Sequence, residues 1–165
     1  MTRPSDVRLL PMTAEAAATL APRIAGIDPW HRLAIAPDRL ARQFAPRDGV
    51  EIRLVTLAEA PAPDALAQNA PVGAVVIRRD WLLGPYLQHL SVLPEAQGHG
   101  AGRAALALLD HLARADGHRN AWLCVSAFNE RALTFYRRHG FTAAAHLPDL
   151  VRPGDSEILM RRRLD

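Results

Sequence analysis

Residues 90–103 read Leu90-Ser91-Val92-Leu93-Pro94-Glu95-Ala96-Gln97-Gly98-His99-Gly100-Ala101-Gly102-Arg103, and the apolar run Ala104-Ala105-Leu106-Ala107-Leu108-Leu109 follows. The stretch predicts a strand that stops at Pro94, a glycine-spaced loop, and a helix whose first turn keeps free backbone N–H groups. Those N–H groups and the positive end of the helix dipole form a site for an anion such as phosphate or pyrophosphate. Gly98, Gly100 and Gly102 carry no Cβ, so a bulky ligand can touch the main chain there and positive φ is allowed. The first expectation is therefore a phosphate cradle.

Three kinds of cradle compete for this stretch. A Walker loop needs Gly-Lys followed by Ser or Thr, and the chain contains no lysine. A dinucleotide fingerprint is formally present as Gly100-x-Gly102-x-x-Ala105, but it should turn directly off its strand, and residues 93–99 intervene. The third pattern is Gln97-x-x-Gly100-x-Gly102 after a strand ending Leu-Ser-Val-Leu-Pro. This resembles the acyl-CoA loop of the GNAT superfamily of N-acyltransferases.

A second stretch strengthens that resemblance: Val125-Ser126-Ala127-Phe128-Asn129-Glu130-Arg131-Ala132-Leu133-Thr134-Phe135-Tyr136-Arg137-Arg138-His139-Gly140-Phe141. Physically, Asn129 is a good N-cap with Glu130 in the first turn, and Gly140 is a good C′ residue after Arg137, Arg138 and His139. Asn129 and Tyr136 lie about two helical turns apart and share a face. The same superfamily is similar here, with an Asn opening a helix, a Phe-Tyr pair two turns on and Gly-Phe closing it. The resemblance spans roughly residues 72–145 well and the rest in outline.

Composition sets the limits. With 165 residues, one domain covering residues 1–165 and able to bury a core is the natural reading. All 20 basic residues are arginine and the net charge is +3, which suits a polyanionic cofactor without calling for nucleic acid. The single cysteine, Cys124, cannot form an internal disulfide, and no zinc-like cluster is visible, so no metal is expected. No secretory segment opens the chain and no apolar run reaches spanning length, so a cytoplasmic protein with no membrane contact is expected.

Read in order, residues 7–10 predict a short strand. Thr13 caps a helix over 14–25, residues 26–31 break it, and Pro37 opens a second helix over 38–44. Residues 50–57 and 72–78 read as strands joined by an Ala/Pro-rich solvated loop at 59–71. A strand at 86–92 leads into the cradle, and a helix over about 100–116 presents Leu106, Leu109 and Ala113 on one face. The apolar strand 120–126 follows, parallel to 86–92 by the right-handed crossover rule. After the Asn129 helix come strands at about 141–147 and 156–162. The expected fold is α/β: a mixed, mainly antiparallel sheet with helices on both faces. The resemblance adds a central parallel pair splayed around acyl-CoA.

The resemblance implies acetyl-CoA as co-substrate and an amine as acceptor, acetylated by direct attack in a ternary complex. It places a backbone oxyanion donor at Val92, with Leu90 and Val92 holding the pantetheine arm like an added strand. Gln97, Gly98, His99, Gly100, Ala101, Gly102 and Arg103 would bind the pyrophosphate, with His99 solvated beside it. Tyr136 matches the superfamily's general acid; with a reference pKa of about 10 it stays protonated at neutral pH. The alternative for Tyr136 is half-buried packing. Asn129 reads as both cap and cofactor contact. Relatives that acetylate ribosomal-protein N-termini carry Glu where this chain has Cys124, a departure that counts against that acceptor. Cys124 itself reads as a small core residue.

His89 is the titratable residue of strand 86–92, either a base with a reference pKa near 6.5 or a packed core side chain. Trp30 and His31 fall where the superfamily builds its acceptor pocket, although a Trp covering the core is equally consistent. Trp81, Trp122 and Phe128 are assigned to packing, and Arg161-Arg162-Arg163 to a solvated tail. Small amines, amino acids, aminoglycoside-like antibiotics and peptide N-termini all fit as acceptors, because acceptor choice resides around residues 24–47 and 146–156. A homodimer is the commonest assembly for such a chain. Two other classes stay open: a non-catalytic acyl-CoA-binding sensor, and an arginine-rich nucleic-acid binder, which lacks aromatics interleaved with its basic residues.

Overall fold

The computed structural model describes residues 7–58 and 70–165, so most of the loop expected at 59–71 lies outside the described residues. Among the described residues, seven strands and four α-helices occur in the order β1 (Val7–Pro11), α1 (Ala14–Ala25), α2 (Pro37–Gln43), β2 (Val50–Leu57), β3 (Pro71–Arg78) and β4 (Tyr86–Val92). The 3-10 turn Pro94–Ala96 precedes α3 (Ala101–Ala115), β5 (Asn120–Ser126), α4 (Glu130–Arg138), β6 (Thr142–Pro148) and β7 (Ser156–Arg163). The sheet order is β1-β2-β3-β4-β5-β7-β6. β1 pairs antiparallel with β2, and β7 pairs antiparallel with both β5 and β6. β4 and β5 form the expected parallel pair, with the register Tyr86↔Trp122 and Leu87↔Leu123, after which β4 continues to Val92.

The described residues form two compact units, one from those within Met1–Val76 with His89–Leu108 and the other from Ile77–Gln88 with Leu109–Asp165. Strands β3 and β4 and helix α3 each contribute residues to both. In the first unit, Thr13 accepts from the Ala16 N–H at 3.1 Å and starts α1, while Pro37 starts α2 with its φ already helical. The apolar stripe Ala16, Ala17, Leu20, Ala21 and Ile24 of α1 then packs with Leu40, Phe44, Leu54, Ala74, Val76 and Leu93 into one core. Gly73 lets β3 approach β4 closely, since a Cβ there would lie 2.1 Å from the Ser91 carbonyl oxygen.

In the second unit, the α3 residues Leu109, Leu112 and Ala113, the β5 residues Ala121, Leu123 and Val125, and Leu133, Phe141 and Met160 are buried. Leu106, Leu109 and Ala113 are all buried, as the helical period predicts. Asn129 caps α4 by accepting from Ala132 N–H at 3.1 Å, and Gly140 ends it at φ +82°. The expectation of a solvated arginine tail is corrected here. Arg161 and Arg162 belong to β7 and are tied down. Arg161 Nε donates to Asn120 Oδ1 at 2.8 Å and its guanidinium lies over Trp122. Arg162 pairs with Asp110, donates to the His139 carbonyl at 2.9 Å and lies over Phe141. Trp122 packs as expected, its indole N–H donating to the Leu82 carbonyl at 2.8 Å. Trp81 is partly exposed, with one face on Tyr86 and its edge to Trp122. Among the described residues no helix is long and apolar enough to cross a membrane.

Candidate active site

Strand alternation divides β4 into two rows. Leu87, His89 and Ser91 are buried, while Tyr86, Gln88, Leu90 and Val92 are half-buried on the opposite face. His89 is 5% exposed, and its ring lies 4.8 Å from that of Trp30 and 5.0 Å from that of Phe44. Its Nε2 sits 2.8 Å from Ser91 Oγ, which accepts from the Ala74 N–H at 3.2 Å. Burial lowers the imidazole pKa from 6.5 to about 3. Of the two readings of His89, this enclosure favours the packed side chain over the base, because charging the ring would leave an ion among apolar walls. Trp30 is half-buried against the same core, and His31 next to it is exposed.

The cradle is braced by its own side chains. Gln97 Nε2 donates to the Val92 carbonyl at 3.1 Å, tying the loop to the end of β4. Leu93 N–H donates to the Val72 carbonyl at 2.7 Å, and Glu95 pairs with Arg23 of α1. His99 departs from the solvated side chain expected of it. It is half-buried, with Nδ1 3.3 Å from the Ala96 carbonyl and 3.1 Å from that of Gln97. Both neighbours are acceptors, so Nδ1 carries the proton. Gly98 and Gly100 adopt φ of +86° and +94°. A Cβ at Gly98 would meet nothing within 4 Å, so the backbone lies open to an approaching ligand. Ala104 N–H donates to the Gly100 carbonyl at 3.0 Å, so the N–H groups of Ala101, Gly102 and Arg103 form the unpaired first turn of α3. These residues, with Leu90, Val92, His89 and Trp30, belong to the first unit.

Asn129 and Tyr136 belong to the second unit. The Asn129 carboxamide oxygen is engaged by the cap, which leaves its NH2 group for a ligand. Tyr136 is 8% exposed, and its ring packs edge-on to Phe135 and Phe141. Burial raises its phenol pKa, so it keeps its proton throughout the neutral range. The same unit holds a polar group that sequence reasoning missed. Glu157 on β7 stands opposite Ser126 on β5, and Ser126 Oγ donates to its Oε1 at 2.6 Å. At Cys124, the neighbouring position on that face of β5, the thiol is pushed up to about 11 by burial and then by Glu157. The available signal was the alternation of the last strand, which puts Glu157 in phase with Leu159 and Arg161. What stood across from it depended on register.

The sequence model of the acetyltransferase (GNAT) family matches residues 30–141, about two thirds of the chain. The chain belongs to the GNAT acetyltransferase family. It is 48% identical over 63 residues to a mycothiol acetyltransferase of Streptomyces griseus, a match covering 38% of this chain and 20% of that protein. The chain thus spans about a fifth of the length of that relative. Among solved structures, Ard1 from Thermoplasma volcanium superposes with a TM-score of 0.73 at 17% identity, over 97% of this chain and 99% of that one. A Bacillus anthracis protein assigned as a streptothricin acetyltransferase, solved with acetyl coenzyme A, gives 0.60 at 16% identity over 75% and 68% of the two chains. At such identities the two structures establish the fold. The GNAT match takes in the cradle and the Asn129 helix together, the two stretches on which the resemblance rested.

Proposed function

We propose that this GNAT chain is an N-acetyltransferase that moves an acetyl group from acetyl-CoA to a primary amine by direct attack in a ternary complex. The observation that carries the reading is the cradle. Two glycines at positive φ and the unpaired N–H groups of α3 lie in a loop braced by Gln97, Glu95 and His99. That arrangement fits a pyrophosphate, because the donors are fixed before the ligand arrives and no Cβ stands in the way. Acetyl-CoA would supply an activated acyl thioester. Leu90 and Val92 hold the pantetheine arm, and the Val92 N–H donates to the carbonyl oxygen as charge develops on it. Gln97 to Arg103 hold the pyrophosphate, and Asn129 offers its NH2 group to the cofactor.

Tyr136 donates its phenolic hydrogen to the departing thiolate. Since burial raises its pKa further above that of a thiol, a strong hydrogen bond completed only as sulfur leaves describes its role. Trp30 and His31 border the acceptor, and His89 packs beneath β4 as a neutral ring. The acceptor is a small amine or a peptide N-terminus. The alternative, an acyl-CoA sensor without turnover, draws on the neutral His89.

The experiment is a thermal-shift titration with acetyl-CoA, CoA and NAD, beside free-thiol release over a panel of primary amines. Stabilisation by both CoA species with amine-dependent release is the expected result. Stabilisation without release favours the sensor, and no CoA response overturns the cradle. In Tyr136→Phe, turnover is expected to fall by about 100-fold with CoA affinity unchanged. Undiminished turnover in that variant removes Tyr136 from the mechanism.

A further inference from the structure

The second unit carries a row of acceptors that the roles above leave unused. On β5, Cys124 and Ser126 alternate onto one face, and the Ser126–Glu157 hydrogen bond puts the carboxylate of β7 on that face. Tyr86 lies on the same face from β4, since it is in register with Trp122, which alternates onto one face with Cys124 and Ser126. Gln88, two residues along β4, follows Tyr86 by strand alternation. Its side-chain oxygen is buried without a hydrogen-bond partner among the described residues. Glu157 is 6% exposed, and Ser126 is the side-chain donor to its carboxylate among the described residues. A carboxylate has about four lone-pair sites, so the Ser126 hydroxyl leaves room for a further donor. Gln88 Oε1 is the buried acceptor left unpaired on this face, with the Glu157 carboxylate sharing the face, and an alkylammonium supplies three donors.

We infer that Glu157 binds the ammonium group of the acceptor and takes its proton, with Gln88 Oε1 as a second acceptor for the same nitrogen. The inference rests on the acetyltransferase reading and gives it a base other than the enclosed His89. One proton passes from R–NH3+ to the Glu157 carboxylate, and the freed lone pair forms the C–N bond to the thioester carbonyl carbon. The C–S bond then breaks. The nitrogen loses a second proton, which balances the one gained by the departing sulfur, and Glu157 returns its proton to solvent. The chemistry of the site supports this role. Burial raises the pKa of Glu157, the Ser126 hydrogen bond lowers it, and Asp155 raises it again. The balance is a carboxyl that can accept a proton closer to neutrality than an exposed one. The other titratable groups facing it are Tyr86 on β4 and Cys124 on β5, both of raised pKa and uncharged at neutral pH. Farther along β7, Arg161 is engaged with Asn120.

The test is thiol release from saturating acetyl-CoA with ethanolamine, glucosamine, spermidine and an alanine-initiated tetrapeptide, across pH 5 to 10. Wild-type kcat/KM for the amine is expected to fall as pH drops through the Glu157 ionisation. Glu157→Gln keeps an acceptor for Ser126. It is expected to lose about 100-fold in kcat/KM and its acidic limb, with acetyl-CoA affinity unchanged. Ser126→Ala is expected to keep the plateau but move the acidic limb to higher pH, because the hydrogen bond favouring the carboxylate is gone. Gln88→Leu is expected to raise the amine KM more than it changes kcat. Wild-type rates and an unchanged pH profile in Glu157→Gln overturn the inference while leaving the transferase intact. Acetyl-CoA binding with no release from any amine by wild type instead overturns the transferase reading, and the base with it.

Discussion

At the scale of single residues, the first unit depends on positions where one atom more is one too many. Gly73 faces the Ser91 carbonyl so closely that an added Cβ would sit 2.1 Å from the oxygen and 3.1 Å from its carbon. Both atoms are backbone, so relief requires β3 and β4 to separate. Gly73→Ala is expected to cost about 1–3 kcal/mol, measured as a lower urea midpoint at unchanged m-value. The same separation would move Ser91, which bonds both Ala74 N–H and His89. Gly98 is the opposite case. Nothing crowds it, and its φ of +86° together with its place in the cradle accounts for the glycine. Cys124 shows how one residue's chemistry depends on its neighbours: burial and Glu157 hold its thiol protonated, so it is inert as a nucleophile at neutral pH.

At the scale of elements, α4 and the cradle loop are built by local rules. α4 spans only Glu130–Arg138, too short to persist alone, so its cap and its packing carry it. Asn129→Ala removes the acceptor for the Ala132 N–H and is expected to destabilise the protein by about 1 kcal/mol. Asn129→Ser should recover most of that loss in thermal unfolding, since a hydroxyl caps as well. CoA affinity separates the two roles of this residue. If Asn129 contacts the cofactor, the serine variant regains stability while remaining weaker for CoA, and recovery of both makes the cap its sole role. The C-terminal end of α4 is held by Arg162, which bonds the His139 carbonyl and pairs with Asp110 of α3. A strand residue thus serves the last turn of a helix, where positive charge is favoured.

At the scale of the whole molecule, the buried histidine links pH to stability. His89 has a folded pKa of about 3 against 6.5 for the free side chain. Between those values the unfolded chain binds the extra proton, so stability rises with pH through this window and is lost as pH falls below about 6.5. Glu157 works in the opposite direction. Its raised pKa contributes stability at low pH that disappears as pH rises through its folded value. The melting temperature is expected to decline as the solution is acidified below pH 6.5. His89→Gln, which can still bond Ser91, is expected to flatten that decline. An equal decline in the variant would assign the acid sensitivity to other groups.

Local patterning determined most of the elements. Thr13, Pro37, Asn129 and Gly140 mark helix ends through interactions that reach only a turn along the chain. Strands such as Val50–Leu57, Tyr86–Val92 and Asn120–Ser126 follow from runs of apolar and alternating side chains. The cradle was legible for the same reason, since its glycines and its helix start are contiguous in sequence. Tertiary structure decided whatever depended on register or on enclosure. The terminal arginines look like a tail until β7 pairs with β5 and β6 and supplies Asn120, Asp110 and the Phe141 ring. His89 reads as either a base or a packed side chain until Trp30 and Phe44 close over it and favour the packed, neutral ring. Glu157 acquires Ser126 as a partner and shares a face with Gln88 only through pairing across strands far apart in sequence. No periodicity within a strand specifies its neighbour, because that choice belongs to the packed sheet as a whole.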